Sequence, residues 1–231
     1  MDFGGVTLSR VETQQRAFVM KAYGWMTAAL AITALVALLV ARTESLSRFF
    51  LGNPVLLIVL FVAELGLVFV LSAAIGKMAA VTATYLFLLY SALNGITLSG
   101  IFVFYQMPTI ATTFFVTAGM FGAVSLYGYV TKTDLSTLGN LCFMTLIGVI
   151  IASVANAFIA SSRLDWIITY IGIIVFVGLT AYDTQKIKRM GLAGIERGDA
   201  ETKGAILGAL ALYLDFINLF LLMLRIFARR D

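Results

Sequence analysis

The amino-acid sequence predicts an all-α polytopic membrane protein, a bundle of seven transmembrane helices. Of its 231 residues, 61% are hydrophobic and 12% are charged, and the mean hydropathy is +1.00. These values lie outside the range of soluble globular domains. Seven apolar runs are long enough to cross a hydrocarbon core of about 30 Å as helices. Since no long polar linker divides the chain, one transmembrane domain over residues 1–231 is the simplest organisation.

The predicted spans follow one another through mostly short connections. A polar segment, residues 1–21, leads into the first span, and Pro54 provides a helix start for the second. The third span contains a polar, glycine-bearing stretch, residues 91–97, where we expect the helix to bend or break. The seven spans are residues 22–41, 54–76, 79–105, 109–130, 138–160, 164–181 and 205–224.

The distribution of lysine and arginine predicts the orientation. With seven crossings, ten of these residues fall on the side of the amino terminus and six on the other. The positive-inside rule therefore places residues 1–21 and the charged loop 182–204, which includes Arg197, in the cytoplasm. Arg225, Arg229 and Arg230 oppose this count and would suit a re-entrant last segment, but its uninterrupted 20-residue apolar run favours a full crossing.

Composition also narrows the functional classes. The chain has no histidine and one cysteine, Cys142, inside an apolar span, which excludes an internal disulfide and an ordinary zinc site. The net charge of +4 reports membrane orientation, so we expect no nucleic-acid partner. If the protein senses pH, carboxylates must do so, because the usual near-neutral side chain is missing.

The last apolar run carries a carboxylate, Asp215, near its middle, about 15 Å from either end. An ionisable group at that depth costs about 3 kcal/mol or more, so it should face protein or water and serve a function. Small and polar residues recur with it at helical spacing, which predicts a packed central helix. This face comprises Gly204, Gly208, Ala211, Asp215, Asn218, Leu222 and Arg225.

Other polar residues lie in or next to the spans. Glu64 falls in the middle of the second span, Asn94 in the third, Asn218 one turn after Asp215, and Asp183 at the end of the sixth. Each has a structural alternative: the asparagines could join helices by hydrogen bonds, Asp183 could be ordinary loop polarity, and Asp215 could be a protonated structural residue. For Glu64, a structural role and a functional role are both open.

Three motifs give the chain a resemblance to a known family. They are residues 92–99 (ALNGITLS), 176–186 (FVGLTAYDTQK) and 211–220 (ALYLDFINLF) with the closing 224–226 (LRI). On these motifs the chain resembles the Bax inhibitor-1 (TMBIM) family over nearly its whole length, and in particular the bacterial branch. The resemblance implies six helices around a central seventh and a multi-pass protein of the bacterial plasma (inner) membrane. It implies no enzyme and no cofactor.

The resemblance also implies a function for Asp183 and Asp215, since members with these two aspartates are described as pH-dependent calcium leak channels. Some members pair them with an arginine in the second helix, where this chain instead offers Glu64. Bacterial relatives are also linked to a membrane-bound protease. The alternative function is therefore a non-conducting regulator that binds such a quality-control partner.

The chemistry of two carboxylates gives this resemblance a mechanism. Two acids in one poorly hydrated site cannot both ionise cheaply, so Asp183 and Asp215 should share a proton and hold their helices together. Loss of that proton adds repulsion and leaves an anionic site suited to calcium, which prefers oxygen ligands. Asp183 and Asp215 are then the gating residues and possible calcium ligands, and Glu64, Asn94 and Asn218 are the candidates for the cation pathway.

An enzymatic alternative comes from Tyr182-Asp183, since intramembrane aspartyl proteases place Tyr-Asp on one helix and a second aspartate on the next. In those enzymes the second aspartate follows Gly-x-Gly. Here Asp215 follows Leu-Tyr-Leu, so we expect no proteolysis.

The charge count makes a prediction about topology. A reporter fused to the amino terminus, and one inserted near Glu196, should be cytoplasmic, while a reporter fused after Asp231 should be external. Paired fusions to a cytoplasm-active and an export-active enzyme would measure this. A cytoplasmic signal at the carboxy terminus, with the other two unchanged, would replace seven crossings with a re-entrant last segment.

Overall fold

The structure, a computed structural model, describes the backbone of residues 3–192 and 198–228 and the side chains of residues 12–191 and 198–228. Glu196, Arg197, Arg229 and Arg230, which entered the topology prediction, lie outside the described residues.

The predicted fold class is confirmed. The described residues form nine α-helices and one 3₁₀ turn, Ile75–Lys77, and no strand occurs among them. Seven of the helical segments are long and apolar enough to cross a membrane. The helices are α1 (Phe3–Arg42), α2 (Glu44–Leu51), α3 (Pro54–Ala74), α4 (Ala80–Leu98), α5 (Gly100–Phe104), α6 (Met107–Val130), α7 (Ser136–Ile159), α8 (Ser162–Leu192) and α9 (Asp199–Phe227).

Three helices are longer than the apolar runs that predicted them. α1 begins at Phe3, α8 continues to Leu192 and α9 begins at Asp199, so the loop expected over 182–204 is mostly helical. Hydropathy marks only the part of a helix that lies in hydrocarbon, whereas hydrogen bonding continues the helix beyond it. Contacts between the extensions stabilise them. Lys21 contacts Glu201 and Thr202 at 3.3 and 3.1 Å, and Gln15 donates to the carbonyl of Lys188 at 3.1 Å.

The expectation of a break within residues 91–97 is wrong. α4 runs without interruption to Leu98, and the chain turns at Ser99 before the short helix α5. The Ser99 hydroxyl donates to the carbonyl of Ile96 at 2.6 Å, and its amide bonds to the same oxygen, which tightens the end of α4. The polar side chains before it are satisfied by other residues, so the backbone of α4 has no reason to open.

The last helix is the most buried of the seven candidate spans. In its most apolar window 56% of the residues are buried, against 6% to 44% in the others, and no residue from 201 to 224 is exposed. The burial is one-sided: the half-buried residues Leu207, Ala211, Leu214, Asn218 and Leu222 recur at intervals of three and four. This less buried side includes Ala211, Asn218 and Leu222 of the face predicted to pack inward, whereas Gly204, Gly208 and Asp215 of that face are buried. The arrangement of six helices around this one stays a prediction.

The chain forms two compact units. The first contains Met1–Gln106 and Ile187–Tyr213, and the second contains Met107–Lys186 and Leu214–Asp231. In the first unit α1 packs closely on α4 at Gly95. A side chain at this position would meet the carbonyl oxygen of Thr33 at 2.7 Å. The second unit has an apolar core of Cys142, Val175, Phe176, Leu179 and Leu219. Residues of α9 belong to both units. That the whole chain is one domain stays a prediction.

Candidate functional site

The two predicted gating residues, Asp183 and Asp215, lie together in the second unit. Asp183 is half-buried on α8, whereas only 4% of Asp215, on α9, is exposed. Their carboxyl groups are in hydrogen-bond contact. Because an ionised carboxylate only accepts hydrogen bonds, a bond between two carboxyl groups requires a proton on one of them. The described geometry therefore corresponds to a pair that holds a proton.

One oxygen of Asp215 receives no hydrogen bond from a hydroxyl or amide group among the described residues. The Asp215 Oδ2 atom is buried and has no hydrogen-bond partner among the described residues. Most buried polar atoms in proteins are hydrogen-bonded, and leaving one without a partner costs about 1–3 kcal/mol. This oxygen therefore needs a proton or a donor, which the carboxyl group of Asp183 or a water molecule can supply. Lys186, one turn after Asp183, adds a nearby positive charge.

Glycines allow the neighbouring helices to approach α8 closely around Asp183. A side chain on Gly128 of α6 would collide with the backbone carbonyl of Ala181, and one on Gly139 of α7 would collide with the ring of Tyr182. A side chain on Gly178 would collide with the sulfur of Cys142. Small residues produce such contacts in membranes, where van der Waals packing drives helix association. The pair is therefore held on a closely packed helix.

Gln185 joins the part of α8 near Asp183 to the connection between α6 and α7. Its side-chain oxygen accepts from the amide of Leu135 at 2.9 Å, and its nitrogen donates to the carbonyl of Thr133 at 2.8 Å. One buried side chain thus binds the connection between α6 and α7 to α8, two residues after Asp183. At the opposite end of α8, Arg225 of α9 pairs with Asp165 at 2.9 Å.

A second polar group, the Glu64 cluster, lies in the first unit and consists of Glu64, Asn94, Thr97, Tyr213 and Thr33. Glu64 is 5% exposed, and it and Leu71, two turns later, are the only buried residues of α3. Its carboxylate accepts from Asn94 Nδ2 at 3.2 Å and from the hydroxyl of Thr97 at 2.5 Å. The carboxylate therefore faces α4 and away from the exposed surface of α3.

The Glu64 cluster continues from α4 to α9 and α1. Tyr213, which is fully buried, donates to Asn94 Oδ1 at 3.1 Å, and its hydroxyl lies 2.7 Å from that of Thr33. The Thr33 hydroxyl also lies within bonding distance of two carbonyl oxygens, those of Ala29 at 3.0 Å and Ser91 at 2.8 Å. Asn94 thus joins helices by hydrogen bonds, whatever else it does.

Asn218, the third candidate for the cation pathway, lies apart from Glu64 and Asn94. Asn218 is half-buried, and its Nδ2 donates to the carbonyl of Leu214 one turn earlier on its own helix, at 2.8 Å. No contact with Asp183 or Asp215 is described for it. The structure thus brings together the two aspartates in one unit, and Glu64 with Asn94 in the other.

Sequence reasoning did not find Thr33, Thr97, Tyr213 or Gln185. One signal was available: Asn94 and Thr97 are three residues apart and share a face of α4, at similar depth to Glu64. Nothing in the sequence connects Thr33 with Tyr213, which are separated by 180 positions.

Comparisons with known proteins agree with the motifs. The family model described as "Inhibitor of apoptosis-promoting Bax1" matches residues 15–231. The chain belongs to the Bax inhibitor-1 family. It is 56% identical over 215 residues to the inner membrane protein YbhL of Escherichia coli K12, a match that covers 92% of each chain.

Other bacterial relatives of this Bax inhibitor-1 family member extend over a similar length. A protein of Deinococcus radiodurans is 42% identical over 226 residues, covering 98% of this chain and 96% of the relative. A protein of Borreliella burgdorferi is 41% identical over 213 residues and 92% of each chain. The sequence resemblance to the bacterial branch is therefore confirmed.

The close packing at Gly128 makes a prediction about stability. Gly128→Ala should lower the midpoint of thermal unfolding of the purified protein, because the new methyl group forces α6 away from α8 at a cost of about 1–3 kcal/mol. Gly119→Ala, on the same helix, is the matched control, since nothing lies within 4 Å of its added methyl group. Equal midpoints for the two variants would show that α6 does not pack on α8 at this glycine.

Proposed function

We propose that this Bax inhibitor-1 family member is a pH-sensitive cation leak channel for calcium, gated by Asp183 and Asp215. The observation that carries the proposal is the hydrogen-bond contact between the two carboxyl groups, at the middle of one membrane helix and near the end of another. The conduit performs no chemical step, so the protein is not an enzyme and needs no cofactor. Calcium and protons are its ligands, and calcium is the transported ion.

The gate follows from the shared proton. In the closed state the proton joins α8 to α9 through the pair. When it leaves, two negative charges face each other in a poorly hydrated site and repel, which separates the helices. The same charges then attract a cation. Flux therefore rises as pH rises through the titration of the pair.

The small number of acidic ligands supports passage of calcium over storage. Calcium takes six to eight oxygen ligands in tight sites. Among the described residues, no group of three or more acidic, histidine or cysteine side chains could hold a metal ion. Asp183 and Asp215 alone would bind calcium weakly, with water completing its shell. Weak binding suits conduction, because an ion must leave a site as readily as it enters.

The remaining polar residues supply the proposed pathway. Glu64 and Asn94 offer oxygen atoms at membrane depth, and Asn218 offers another one turn after Asp215. The protein lies in the bacterial plasma membrane, as expected for a relative of an inner membrane protein, with its amino terminus in the cytoplasm.

The second candidate function is a non-conducting regulator that binds a membrane protease. It is favoured by the polar extensions of α8 and α9, where Lys186 and Asp199 are exposed. Such a surface suits a protein partner better than an ion. Co-purification of a protease with the wild-type chain, lost when the charges in 186–204 are changed and without any flux in liposomes, would favour this function.

The proposed gate predicts how calcium flux depends on pH. Calcium flux into liposomes that contain the purified protein should increase from about pH 5.5 to about pH 8.5, and both Asp183→Asn and Asp215→Asn should lose most of that increase. Each substitution removes one of the two charges, and with it the repulsion. Because either change abolishes the coupled titration, the double variant should resemble the single ones.

Asp165→Asn is the matched control, since it alters an aspartate that pairs with Arg225 and not with the gating pair. It should retain the pH profile. If both gate variants also retained it, the carboxylate gate would be wrong, even where calcium flux itself was present.

The proposed pathway makes a separate prediction for Glu64. Glu64→Gln should reduce calcium flux severalfold, because the amide keeps the size of the side chain and removes its charge. Circular dichroism and the unfolding midpoint would check that the variant folds. Parental flux in a folded variant would remove Glu64 from the pathway.

A further inference from the structure

The Glu64 cluster has a property that a cation pathway does not require: every one of its polar atoms can be satisfied whether or not Glu64 carries a proton. We propose that Glu64 is a second, reversible proton-binding site, separate from the Asp183–Asp215 pair. The protons of the surrounding hydroxyl and amide groups suffice for the observed hydrogen bonds in either state, whether or not the protein conducts ions.

The ionised state is satisfied by a chain of donors that all point toward the carboxylate. Asn94 Nδ2 and the Thr97 hydroxyl donate to Glu64, Tyr213 donates to Asn94 Oδ1, and the Thr33 hydroxyl can donate to Tyr213. Each hydroxyl has one proton, and each proton has one acceptor in this arrangement. A buried carboxylate with several donors is stabilised without a counter-charge.

The protonated state is satisfied by turning hydroxyl groups alone. The Thr97 oxygen lies 3.3 Å from the carbonyl of Leu93 as well as near Glu64, so it has two acceptors for one proton. When Glu64 carries a proton, it can donate to Thr97, which then donates to Leu93. Thr33 likewise has an alternative acceptor, the carbonyl of Ser91 at 2.8 Å. No helix has to move.

The residues around Glu64 are suited to the binding of a proton. No lysine or arginine among the described residues forms an ion pair with Glu64. The titratable groups that act on it are Tyr90 of α4 and Tyr213 of α9, both of which are neutral at ordinary pH. Asn94 and Thr97 each make one hydrogen bond to a different oxygen of the carboxylate, and a proton can bind without displacing either side chain.

The consequence is a site that registers proton concentration and connects with α9. Protonation of Glu64 changes which way the Thr97 hydroxyl points and weakens the pull on Asn94, whose oxygen holds Tyr213. Tyr213 is fully buried on the helix that also carries Asp215. Glu64 would then fit the proposed channel as well: it would hold a proton when the channel is closed and be ionised when the channel is open.

Infrared difference spectroscopy of the full chain in liposomes tests the site without any flux measurement. The carboxylic C=O stretch exists only in the protonated acid, so spectra taken between about pH 4 and about pH 9 follow the protonation of the carboxyl groups together, and the variants assign the signal of Glu64. The background is the double variant Asp183→Asn with Asp215→Asn. We expect a pH-dependent carboxylic band in the difference between this background and the same background with Glu64→Gln added. Exposed carboxyl groups are common to both samples and cancel.

A second pair of variants keeps the test decisive if the glutamine variant fails to fold. Thr97→Val in the same background should shift the frequency of the band, because it removes a hydrogen bond of the Glu64 carboxyl group. Thr84→Val should leave it unchanged, since that threonine, on the same helix, bonds to the carbonyl of Ala80. If the pH-dependent carboxylic signal is the same with and without Glu64→Gln, and Thr97→Val shifts no part of it, the proposal is overturned.

Discussion

The structure depends above all on the cost of placing carboxyl groups in a hydrocarbon environment. A charge at the bilayer centre costs several kcal/mol unless protein or water compensates for it. The chain meets this cost in two ways. Glu64 is surrounded by neutral donors from α4, and Asp215 meets a second carboxyl group, that of Asp183. The first arrangement offers hydrogen-bond partners to the anion and, after hydroxyl groups turn, to the acid. In the second, the repulsion between two charges is relieved when one carboxyl group holds a proton.

Close helix packing is the other condition for these sites. Apolar side chains gain little by leaving lipid for protein, so helices in a membrane associate through close contact and hydrogen bonds. Gly95 brings α4 onto α1 beside Thr33, and Gly128 and Gly139 bring α6 and α7 onto α8 beside Asp183. In both units the glycines lie near the polar clusters. A larger residue would therefore change the distances on which the hydrogen bonds depend.

Both polar clusters include a residue of α9. Tyr213 belongs to the Glu64 cluster, and Asp215, two residues later, belongs to the pair that it forms with Asp183. Neither residue is at a helix end, and both are almost fully buried. A helix with so little exposed surface cannot change its rotation or depth without altering hydrogen bonds. Membership of the Bax inhibitor-1 family agrees with this use of the last span, since one of the motifs that carry the resemblance is centred on Asp215.

The sequence by itself determined the fold class, the approximate position of all seven spans, the family and the candidate residues. Hydropathy and charge report how each segment partitions between water and lipid, which is a local property. The helix extensions beyond the membrane, the turn at Ser99 instead of at 91–97, and the partners of Glu64 were decided only by tertiary structure. Each depends on a side chain far away in the chain, such as Tyr213 for Asn94 or Glu201 for Lys21. Periodicity and composition contain no information about which distant residue completes a hydrogen bond.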